Sequence, residues 1–388
     1  MSRLSSSSTP AAGGSTTGTA TGPITITGTT TGTRIVIGDG MLASLGAAMR
    51  DVGLTGRAFV ITERRVAERY GEAVMAALDA DGFRPALVAI EGGEGAKSLA
   101  QAGELYAWLA DQRTERRDAI VALGGGVIGD LAGFVAATYL RGVALVQVPT
   151  TVLAQVDSAI GGKTAVNLAQ GKNLVGAFHP PRLTLIDVAV LATLPPRELH
   201  AGWAEVIKTA MIFDAPLFEQ IEHTRPEALS SGDRRDIIAR CVQWKQRLCD
   251  EDPTEKGPRM LLNFGHTIGH ALESSFGYGT YLHGEAVAIG MVGAAEISRR
   301  LGLIDRRLVE RLQASLEGNG LPVRYDARRV PPEAVLRAAA VDKKSRGARL
   351  QWILLTGLGQ TTISGDVPEG LVLDVLHWLG TEEPAQHR

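Results

Sequence analysis

The first half of the chain alternates short apolar runs with longer stretches in which apolar residues recur every three or four positions. Short apolar runs are typical of buried strands, and periodic stretches such as Val66–Asp81 and Leu99–Gln112 predict helices. This alternation predicts a mostly parallel sheet with helices on both faces. The predicted strands are Arg34–Ile37, Ala58–Thr62, Ala86–Ile90, Ala119–Leu123, Leu145–Val148 and Leu183–Asp187.

After Pro195-Pro196 the pattern changes to long periodic segments with almost no β-branched runs, which predicts a mainly helical second half. A strand-like stretch, Leu350–Leu355, follows these segments. The double proline is the predicted boundary between an α/β domain at residues 33–196 and a helical domain at residues 197–380. The predicted helices are Pro216–His223, Asp233–Leu248, Thr267–Phe276 and Glu285–Leu301.

The two ends of the chain lack these patterns. Residues 1–32 consist mainly of Ser, Thr, Gly and Ala, and Arg3 is their one charged residue. They lack the apolar stretch of an export signal, and they bury too few apolar side chains to offset the entropy of ordering. We therefore expect a disordered leader at residues 1–32 and a flexible tail at residues 381–388.

Charge and cysteine content narrow the class of protein. The formal net charge of the 388 residues is -2, so no overall field attracts nucleic acid or an anionic membrane. No apolar run is long enough to predict a membrane-spanning helix. Cys241 and Cys249 lie eight residues apart in one predicted helix, too far for a disulfide between them, which favours a reducing, cytoplasmic setting.

A glycine turn follows the strand at Ala119–Leu123. The sequence Gly124–Asp130 fits G-x-G-x-x-G and opens a helix, so its backbone could approach a pyrophosphate at the helix N-terminus. A tight turn without a ligand is the alternative. The acid that usually binds the ribose about 20 residues further on is missing, because Leu145–Gln155 contains no acidic residue. A dinucleotide site is expected, although not in the usual layout.

Gly161-Gly162-Lys163-Thr164 resembles the end of a P-loop. The P-loop pattern requires a glycine at position 157, where this chain has Asp157. A nucleoside triphosphatase is therefore excluded.

Several bases lie beside glycines, aromatics or apolar runs, which would suit a small phosphorylated acid if they converged on one cleft. The alternative is that each is a solvated surface charge. The sequence alone does not place them together. They are Arg141, Lys163, Lys172, Lys208, Lys245, Arg259, Lys343 and Lys344.

Three of the eight histidines, His266, His270 and His283, fall within 18 residues and have glycine neighbours. His266 and His270 are four residues apart, so they would share one helix face, as pairs of metal ligands do. Buried or capping histidines are the alternative. The best acidic candidate for a further ligand is Glu205, because an unpaired carboxylate in its apolar helical stretch would be costly to bury.

From about residue 34 to residue 365 the chain resembles the 3-dehydroquinate synthase family. The resemblance rests on many motifs in the same order, which together are far more specific than any one of them. The motifs are Gly124–Asp130, Tyr139–Gly142, Pro149–Thr151, Gly161–Thr164, Gly171–Asn173, Leu194–Glu198, Ala204–Lys208, Leu261–His270 and His283–Val287.

The resemblance implies a dehydroquinate synthase-like fold, with an α/β N-terminal Rossmann-like domain that binds NAD and an all-α C-terminal domain that holds zinc. It implies a homodimer and a metal site at which Co²⁺ could replace Zn²⁺. By position, the implied metal ligands are Glu205, His266 and His283, so His270 becomes a catalytic residue. The other implied catalytic residues are Lys208, Glu255 and Asn263.

The resemblance also implies two sets of binding residues, which share Asp157, Lys163 and Lys172. The implied cofactor contacts are Glu63, Gly92, Gly93, Glu94, Lys97, Gly125, Gly126, Val127, Ile128, Gly129, Asp130, Thr150, Thr151, Asp157, Lys163, Lys172, Val190 and Thr193. The implied substrate contacts are Arg141, Asp157, Lys163, Lys172, Asn173, Lys208, Lys245, Arg259, Asn263, His270 and either Lys343 or Lys344.

Two positions depart from the family pattern. Gly92-Gly93-Glu94 stands where the family has Asp-Gly-Glu, which removes one acidic contact to the cofactor. Pro253 lies two residues before Glu255 and puts the local chain path there in question.

The implied reaction converts 3-deoxy-D-arabino-heptulosonate 7-phosphate to 3-dehydroquinate and phosphate in the shikimate pathway. It combines transient oxidation by NAD, β-elimination of phosphate, reduction and an aldol closure. One alternative is a related cyclase that makes a cyclitol from sedoheptulose 7-phosphate or a hexose phosphate. The others are a metal-dependent alcohol dehydrogenase and a non-catalytic NAD sensor.

Overall fold

The computed structural model describes residues 22–344 and 350–381, without the side chains of residues 341–344. The strands are β1 (Ile24–Thr27), β2 (Arg34–Gly38), β3 (Ala58–Glu63), β4 (Ala86–Ile90), β5 (Ala119–Gly124), β6 (Ala144–Pro149), β7 (Lys163–Leu168), β8 (Gly171–Phe178), β9 (Leu183–Asp187), β10 (Tyr325–Asp326), β11 (Trp352–Gly357), β12 (Gln360–Ser364) and β13 (Gly380–Thr381). The helices are α1 (Leu45–Asp51), α2 (Arg64–Val66), α3 (Glu72–Ala80), α4 (Leu99–Asp111), α5 (Gly126–Thr138), α6 (Pro196–Phe213), α7 (Ala215–Ile221), α8 (Ser231–Glu251), α9 (His266–Phe276), α10 (His283–Arg300), α11 (Arg306–Gly318), α12 (Pro332–Lys344) and α13 (Glu369–Leu379).

The N-terminal half contains a seven-stranded sheet in the order β1-β2-β9-β6-β5-β3-β4 within the described residues. Every neighbouring pair is parallel except β1 and β2, as the alternating pattern predicted. The strands predicted from the first half are confirmed as β2, β3, β4, β5, β6 and β9. β5 is buried along its whole length, and β3 is buried except at Glu63. This burial explains their continuous apolar sequences, because a parallel sheet is covered on both faces.

Adjacent strands send the chain to opposite faces of this sheet. Phe59 of β3 packs with α4 and α5, whereas Val60 packs with α1 and α3 on the other face. The chain therefore leaves β3 towards one face and leaves the neighbouring β5 towards the other. In open α/β sheets such a reversal creates a crevice at the carboxyl ends of the two strands.

The helical half contains the four predicted helices as α7, α8, α9 and α10, and Leu350–Leu355 falls largely within β11. The C-terminal region is helical, as expected, and it also contains two short pairs of strands. β11 and β12 form an antiparallel hairpin, and the two-residue strands β10 and β13 form a parallel pair. Cys241 and Cys249 are buried free thiols. None of the described helices is both long and apolar enough to cross a membrane.

The expectation of disorder through residue 32 is also wrong. β1 forms the antiparallel edge of the main sheet, and residues 28–33, the N-terminal turn, follow it. The backbone amides of Thr29, Thr30 and Thr31 donate to the Asp250 carboxylate at 3.0, 2.9 and 3.3 Å. Ordering arises because Ile26 is buried and β1 supplies ladder hydrogen bonds to β2, which composition does not reveal. Residues 1–21 and 382–388 lie outside the described residues.

Candidate active site

The implied cofactor contacts gather at one edge of the main sheet, which we call the cofactor edge. Parallel strands end at the same edge, so the segments that follow them are neighbours in space. Glu63 ends β3, and the glycine turn follows β5, directly beside it. Further contacts follow the other strands: residues 92–97 after β4, Thr150 and Thr151 after β6, and Val190 and Thr193 after β9. Asp157 follows Thr151 along the chain, and Lys163 and Lys172 lie on β7 and β8.

The glycine turn presents backbone without side chains. Gly125 precedes the first residue of α5, so free N–H groups of that helix face the crevice between β3 and β5. An added Cβ would lie 3.1 Å from Thr151 Cγ2 at Gly125, and 3.1 Å from Ser158 Oγ at Gly126. The turn is therefore a close-fitting cradle that suits the phosphates of a dinucleotide.

Glu63 lies against the next loop of the cofactor edge. An added Cβ on Gly92 would lie 2.2 Å from Glu63 Oε2, so the Glu63 carboxylate packs directly against the backbone of residue 92. Burial raises the pKa of Glu63, and the charge of Arg65 opposes this shift. The position of Glu63 at the end of β3 suits the ribose contact that was missing after the glycine turn.

Lys97 links the cofactor edge to the hairpin formed by β7 and β8. Its buried ammonium group contacts the carboxylate of Asp130, on α5, and the side-chain oxygen of Asn173, on β8. Asn173 has a left-handed backbone with φ of 58°, and its backbone N–H donates to Asn167 Oδ1 at 2.9 Å. This hairpin was not predicted from the sequence. It brings the implied substrate residues Lys163, Lys172 and Asn173 beside the cofactor edge.

The cation cluster consists of Glu205, His266, His270 and His283. Ligand atoms of the three histidines lie within 4.8 Å of one another. Glu205 Oε1 lies 3.7 Å from His266 Nε2 and 4.0 Å from His283 Nε2. The structure therefore brings together both the spaced pair His266 and His270 and the three residues implied by the family.

Glycines allow the three helices of this cluster to approach closely. An added Cβ on Gly284 would lie 1.7 Å from the Ala201 carbonyl oxygen, so the start of α10 lies directly against α6. An added Cβ on Gly290 would lie 2.0 Å from the carbonyl oxygen of Gly265, which precedes α9. These contacts place His283 and His266 next to Glu205, and they explain the glycines that flank the histidines in the sequence.

The hydrogen bonds of the imidazoles leave one nitrogen of each ligand free for a cation. His266 Nδ1 lies 3.1 Å from the Phe264 carbonyl oxygen, and His283 Nδ1 lies 3.2 Å from Glu273 Oε2. A proton on each Nδ1 fits these acceptors and leaves Nε2 as a lone-pair donor. Burial and the nearby charges of Lys208, His283 and His270 lower the pKa of His266 well below its usual value.

Glu205 provides the test of whether a metal ion fits. Its Oε2 pairs with Lys208 Nζ at 2.5 Å, whereas its buried Oε1 has no hydrogen-bond partner among the described residues. A buried carboxylate oxygen without a donor is costly, and a cation between it and two imidazoles would satisfy it. Two nitrogen donors and one carboxylate oxygen form a ligand set typical of catalytic zinc.

The bases converge around Asp157, next to Ser158 of the glycine cradle. Lys245 forms an ion pair with the Asp157 carboxylate. Burial opposes ionisation of Asp157, but the charges of Lys245, Lys208 and His266 outweigh it and lower its pKa. Asp157 therefore lies between the cofactor edge, the cation cluster and the bases of α6 and α8.

The path of the chain at Glu255 is well defined despite Pro253. The Asp252 carboxylate accepts backbone hydrogen bonds from Lys256, Gly257 and Arg259 at 3.0, 2.7 and 3.3 Å, which fixes the loop. Glu255 takes up a left-handed backbone with φ of 57°. Its Oε1 accepts from Asn263 Nδ2 at 2.7 Å, and its Oε2 contacts Lys163.

The remaining implied substrate contacts are Arg141, Arg259, His270 and one of Lys343 and Lys344. Arg141 is exposed and has a φ of 66°. Arg259 is 1% exposed, and its Nη1 and Nη2 donate to the carbonyl oxygens of Pro253 and Gly161 at 2.9 and 3.4 Å. The side chains of Lys343 and Lys344 lie outside the described residues. His270 lies in the cation cluster, with its ring centroid 5.3 Å from that of His266.

Sequence reasoning missed Glu273. This residue lies on α9 three positions after His270 and seven after His266, so helical spacing places all three on one face. Burial opposes ionisation of Glu273, but the hydrogen bond from His283 and the charges of His283 and Lys172 lower its pKa to about 2. The signal in the sequence was an acid on the same helical face as the histidines.

Comparisons with known proteins give matches over both halves of the chain. Two family models match: 3-dehydroquinate synthase N-terminal over residues 87–201 and 3-dehydroquinate synthase C-terminal over residues 202–345. A 3-dehydroquinate synthase of Desulforamulus reducens is 43% identical over 344 residues, which cover 88% of this chain and 96% of that protein.

Two solved structures of cyclases are also similar. One is a 2-deoxy-scyllo-inosose synthase complexed with carbaglucose-6-phosphate, NAD⁺ and Co²⁺, with 31% identity and a TM-score of 0.79 over 88% of this chain and 96% of that one. The other is a 2-epi-5-epi-valiolone synthase of Streptomyces hygroscopicus with NAD⁺ and Zn²⁺ bound, with 30% identity and a TM-score of 0.81 over 89% and 96%.

Proposed function

The chain belongs to the 3-dehydroquinate synthase family, and we propose that it converts 3-deoxy-D-arabino-heptulosonate 7-phosphate to 3-dehydroquinate and phosphate. The main support is the position of Asp157 and Ser158, where the glycine cradle, the cation cluster and the converging bases meet. A reaction that needs a dinucleotide, a cation and an anionic substrate at once requires such a meeting point.

The residues that would hold zinc are Glu205, His266 and His283, and those that would hold NAD line the cofactor edge. When bound, the metal would supply Lewis-acid polarisation of a substrate oxygen, and the dinucleotide would supply reversible hydride transfer. Lys208 orients Glu205 through its contact with Oε2, so Oε1 remains directed to the cation. The Nδ1 contacts with Phe264 and Glu273 hold the two imidazoles in the matching tautomer.

The bases around the site would bind the phosphate and carboxylate of the substrate. Lys163 and Lys172 come from the β7–β8 hairpin, Lys208 from α6 and Lys245 from α8, so they surround the site from three sides. Lys208 and Lys245 are buried and already paired with carboxylates, which places their charges before the substrate arrives. Such preorganised charges stabilise an anion more strongly than flexible surface lysines do.

Glu255, Asn263 and His270 are the proposed proton-handling group. Asn263 and Lys163 each contact one oxygen of the Glu255 carboxylate, and the two contacts together fix its orientation. An oriented, ionised carboxylate can accept a proton at one oxygen when the neighbouring lysine turns to the substrate. His270 lies next to the ligand His266 and would contact substrate oxygens.

We further propose a cytoplasmic homodimer that acts in the shikimate pathway towards chorismate and the aromatic amino acids. Two buried free thiols suit a reducing compartment. A candidate dimer surface lies on β8, where Leu174 and Phe178 are 59% and 54% exposed on the same face of the strand. The proposed substrate is a small phosphorylated sugar acid, and we expect the protein to bind neither nucleic acid nor a membrane.

A second candidate is cyclisation of sedoheptulose 7-phosphate or a hexose phosphate to a cyclitol. The similarity to the two cyclase structures, with TM-scores of 0.79 and 0.81, favours it. The higher identity to the Desulforamulus reducens synthase, 43%, favours the sugar acid as substrate.

The test is to incubate the chain with NAD and zinc and to measure phosphate release from each sugar, with mass spectrometry of the product. We expect rapid release from the heptulosonate and almost none from sedoheptulose 7-phosphate. A site built to pair with a carboxylate can discriminate by roughly 10⁴-fold. Faster cyclisation of the neutral sugar would replace the synthase assignment with the cyclitol one.

Arg259→Lys is the matched variant for this test. Arg259 is one of the implied substrate contacts, and we propose that it binds the carboxylate, since its planar fork suits that group. In the structure its two Nη atoms also donate to the Pro253 and Gly161 carbonyl oxygens. Lysine keeps the charge but loses the planar fork. We expect the kcat/KM for the heptulosonate to fall by about one to two powers of ten, since each lost charged hydrogen bond costs about 1.5–3 kcal/mol. An unchanged value would remove Arg259 from the substrate site.

A further inference from the structure

Glu273 connects a proposed metal ligand to a proposed substrate lysine, and neither the family resemblance nor the sequence assigned it a role. Its Oε2 lies 3.2 Å from His283 Nδ1, and its Oε1 lies 3.3 Å from Lys172 Nζ. The residue is 6% exposed, so solvent contributes little to its stabilisation. Each carboxylate oxygen therefore has its own cationic or N–H partner.

The two partners come from different parts of the fold. His283 is the first residue of α10, and Lys172 lies on β8 of the hairpin that packs against α5. Lys172 Nζ also lies 4.2 Å from the centroid of the Tyr278 ring. The lysine is therefore held between a carboxylate and an aromatic ring, and the carboxylate also contacts His283 of the cation cluster.

A carboxylate that accepts the Nδ1 proton of a ligand histidine fixes the ring and increases the basicity of Nε2. The strength of that effect depends on how much negative charge the carboxylate keeps for the imidazole. A cation beside the other carboxylate oxygen reduces the negative charge that is available to the imidazole. When Lys172 turns to a substrate anion, Glu273 loses that contact and keeps its contact with His283.

We propose that Glu273 is a positioning residue that couples zinc binding at His283 to substrate binding at Lys172. The inference rests on the proposed function, because it assumes zinc at His283 and an anionic substrate at Lys172. It adds a positioning residue to that function and gives the coupling a direction: a substrate that engages Lys172 strengthens metal binding by His283.

The experiment measures zinc affinity by competition with a chromophoric chelator, together with KM, in four proteins: wild type, Glu273→Gln, Lys172→Met and the double variant. Glu273→Gln should weaken zinc binding by about 10- to 100-fold and raise KM. Lys172→Met should raise KM but tighten zinc binding. In the double variant, the Lys172 substitution should no longer tighten zinc binding, because interacting residues are not additive.

The matched control is Glu296→Gln. Glu296 is also a buried glutamate paired with two basic residues, Arg299 and Arg300, but it lies on α10 away from the cation cluster. Its substitution should lower the melting temperature and leave zinc affinity unchanged. Comparable loss of zinc in both glutamine variants would assign the effect to general loss of stability and overturn the proposal.

Other outcomes separate this inference from the proposed function. If the wild type binds zinc but Glu273→Gln binds it equally well, Glu273 has no positioning role, and the metal site stands. If the wild type binds no zinc, the metal site and the coupling both fail. Should Glu273→Gln not fold, Glu273→Asp replaces it: its shorter carboxylate cannot span both partners, so unchanged zinc affinity and KM would overturn the proposal.

Discussion

At the cofactor edge, the atoms that face the proposed ligand belong mainly to the backbone of one short turn, whereas in the cation cluster they belong to side chains from three helices. The turn at Gly125 and Gly126 needs only a strand before it and a helix after it. Glu205, His266 and His283 meet because α6, α9 and α10 cross at close range. The cofactor edge is a local site, which depends on the absence of side chains at its glycines. The cation cluster is an assembled site, which depends on the packing of segments that are distant along the chain.

The largest effect should come from the assembled site. His266→Ala should reduce bound zinc to background and abolish turnover, because it removes one of three proposed ligands and a buried donor. His270→Ala should keep most of the zinc and lose activity. Metal content by mass spectrometry and phosphate release distinguish the two variants. Equal loss of zinc in both would return His270 to the ligand set, as the spacing in the sequence suggested.

The local site should respond more moderately. Gly126→Ala adds a methyl group in the cradle, 3.1 Å from Ser158 Oγ, and should weaken NAD binding by about one to two powers of ten. The control is Gly103→Ala on α4, where nothing lies within 4 Å of an added Cβ. It should leave NAD affinity unchanged and stabilise the helix by about 0.5–1 kcal/mol. Calorimetric titration of NAD checks both, and an intact affinity in Gly126→Ala would place the dinucleotide elsewhere.

The smallest effect should come from the surface contact between the N-terminal turn and α8. Asp250→Ala removes the acceptor for the amides of Thr29, Thr30 and Thr31, which join the N-terminal turn to α8. Because the contact is exposed, we expect a loss of about 1 kcal/mol and a fall in melting temperature of about 2–4 °C. Zinc and NAD affinity should stay the same. A drop in either would mean that this turn also positions the site.

The sequence predicted the local features better than the assembled ones. β3 and β5 were recognisable because burial on both faces makes their sequences continuously apolar. β1 was missed because Ile24–Thr27 sits within a polar, low-complexity stretch, and its stability comes from pairing with β2. The β7–β8 hairpin was missed because its strands mix lysines, asparagines and glycines with apolar residues.

The same distinction holds within the site. His266 and His270 were paired through helical spacing, but spacing could not rank His283 or Glu205, which come from other helices. Glu205 was found because a carboxylate in an apolar helix needs a partner. Glu273 needs two partners, and both lie in other elements of the fold, so only the three-dimensional arrangement reveals its contacts.

The tip of the β7–β8 hairpin has a consequence for the order of folding. Its neighbours Lys172 and Asn173 contact Glu273 and Lys97, which are 101 and 76 residues away along the chain. Both contacts close long loops, and closing a loop costs conformational entropy before the new contacts can offset it. We therefore expect the tip to become ordered after the main sheet and α9 have formed. In refolding from denaturant, the far-ultraviolet helical signal should return first, and the capacity to bind the sugar phosphate should return in a later, slower phase.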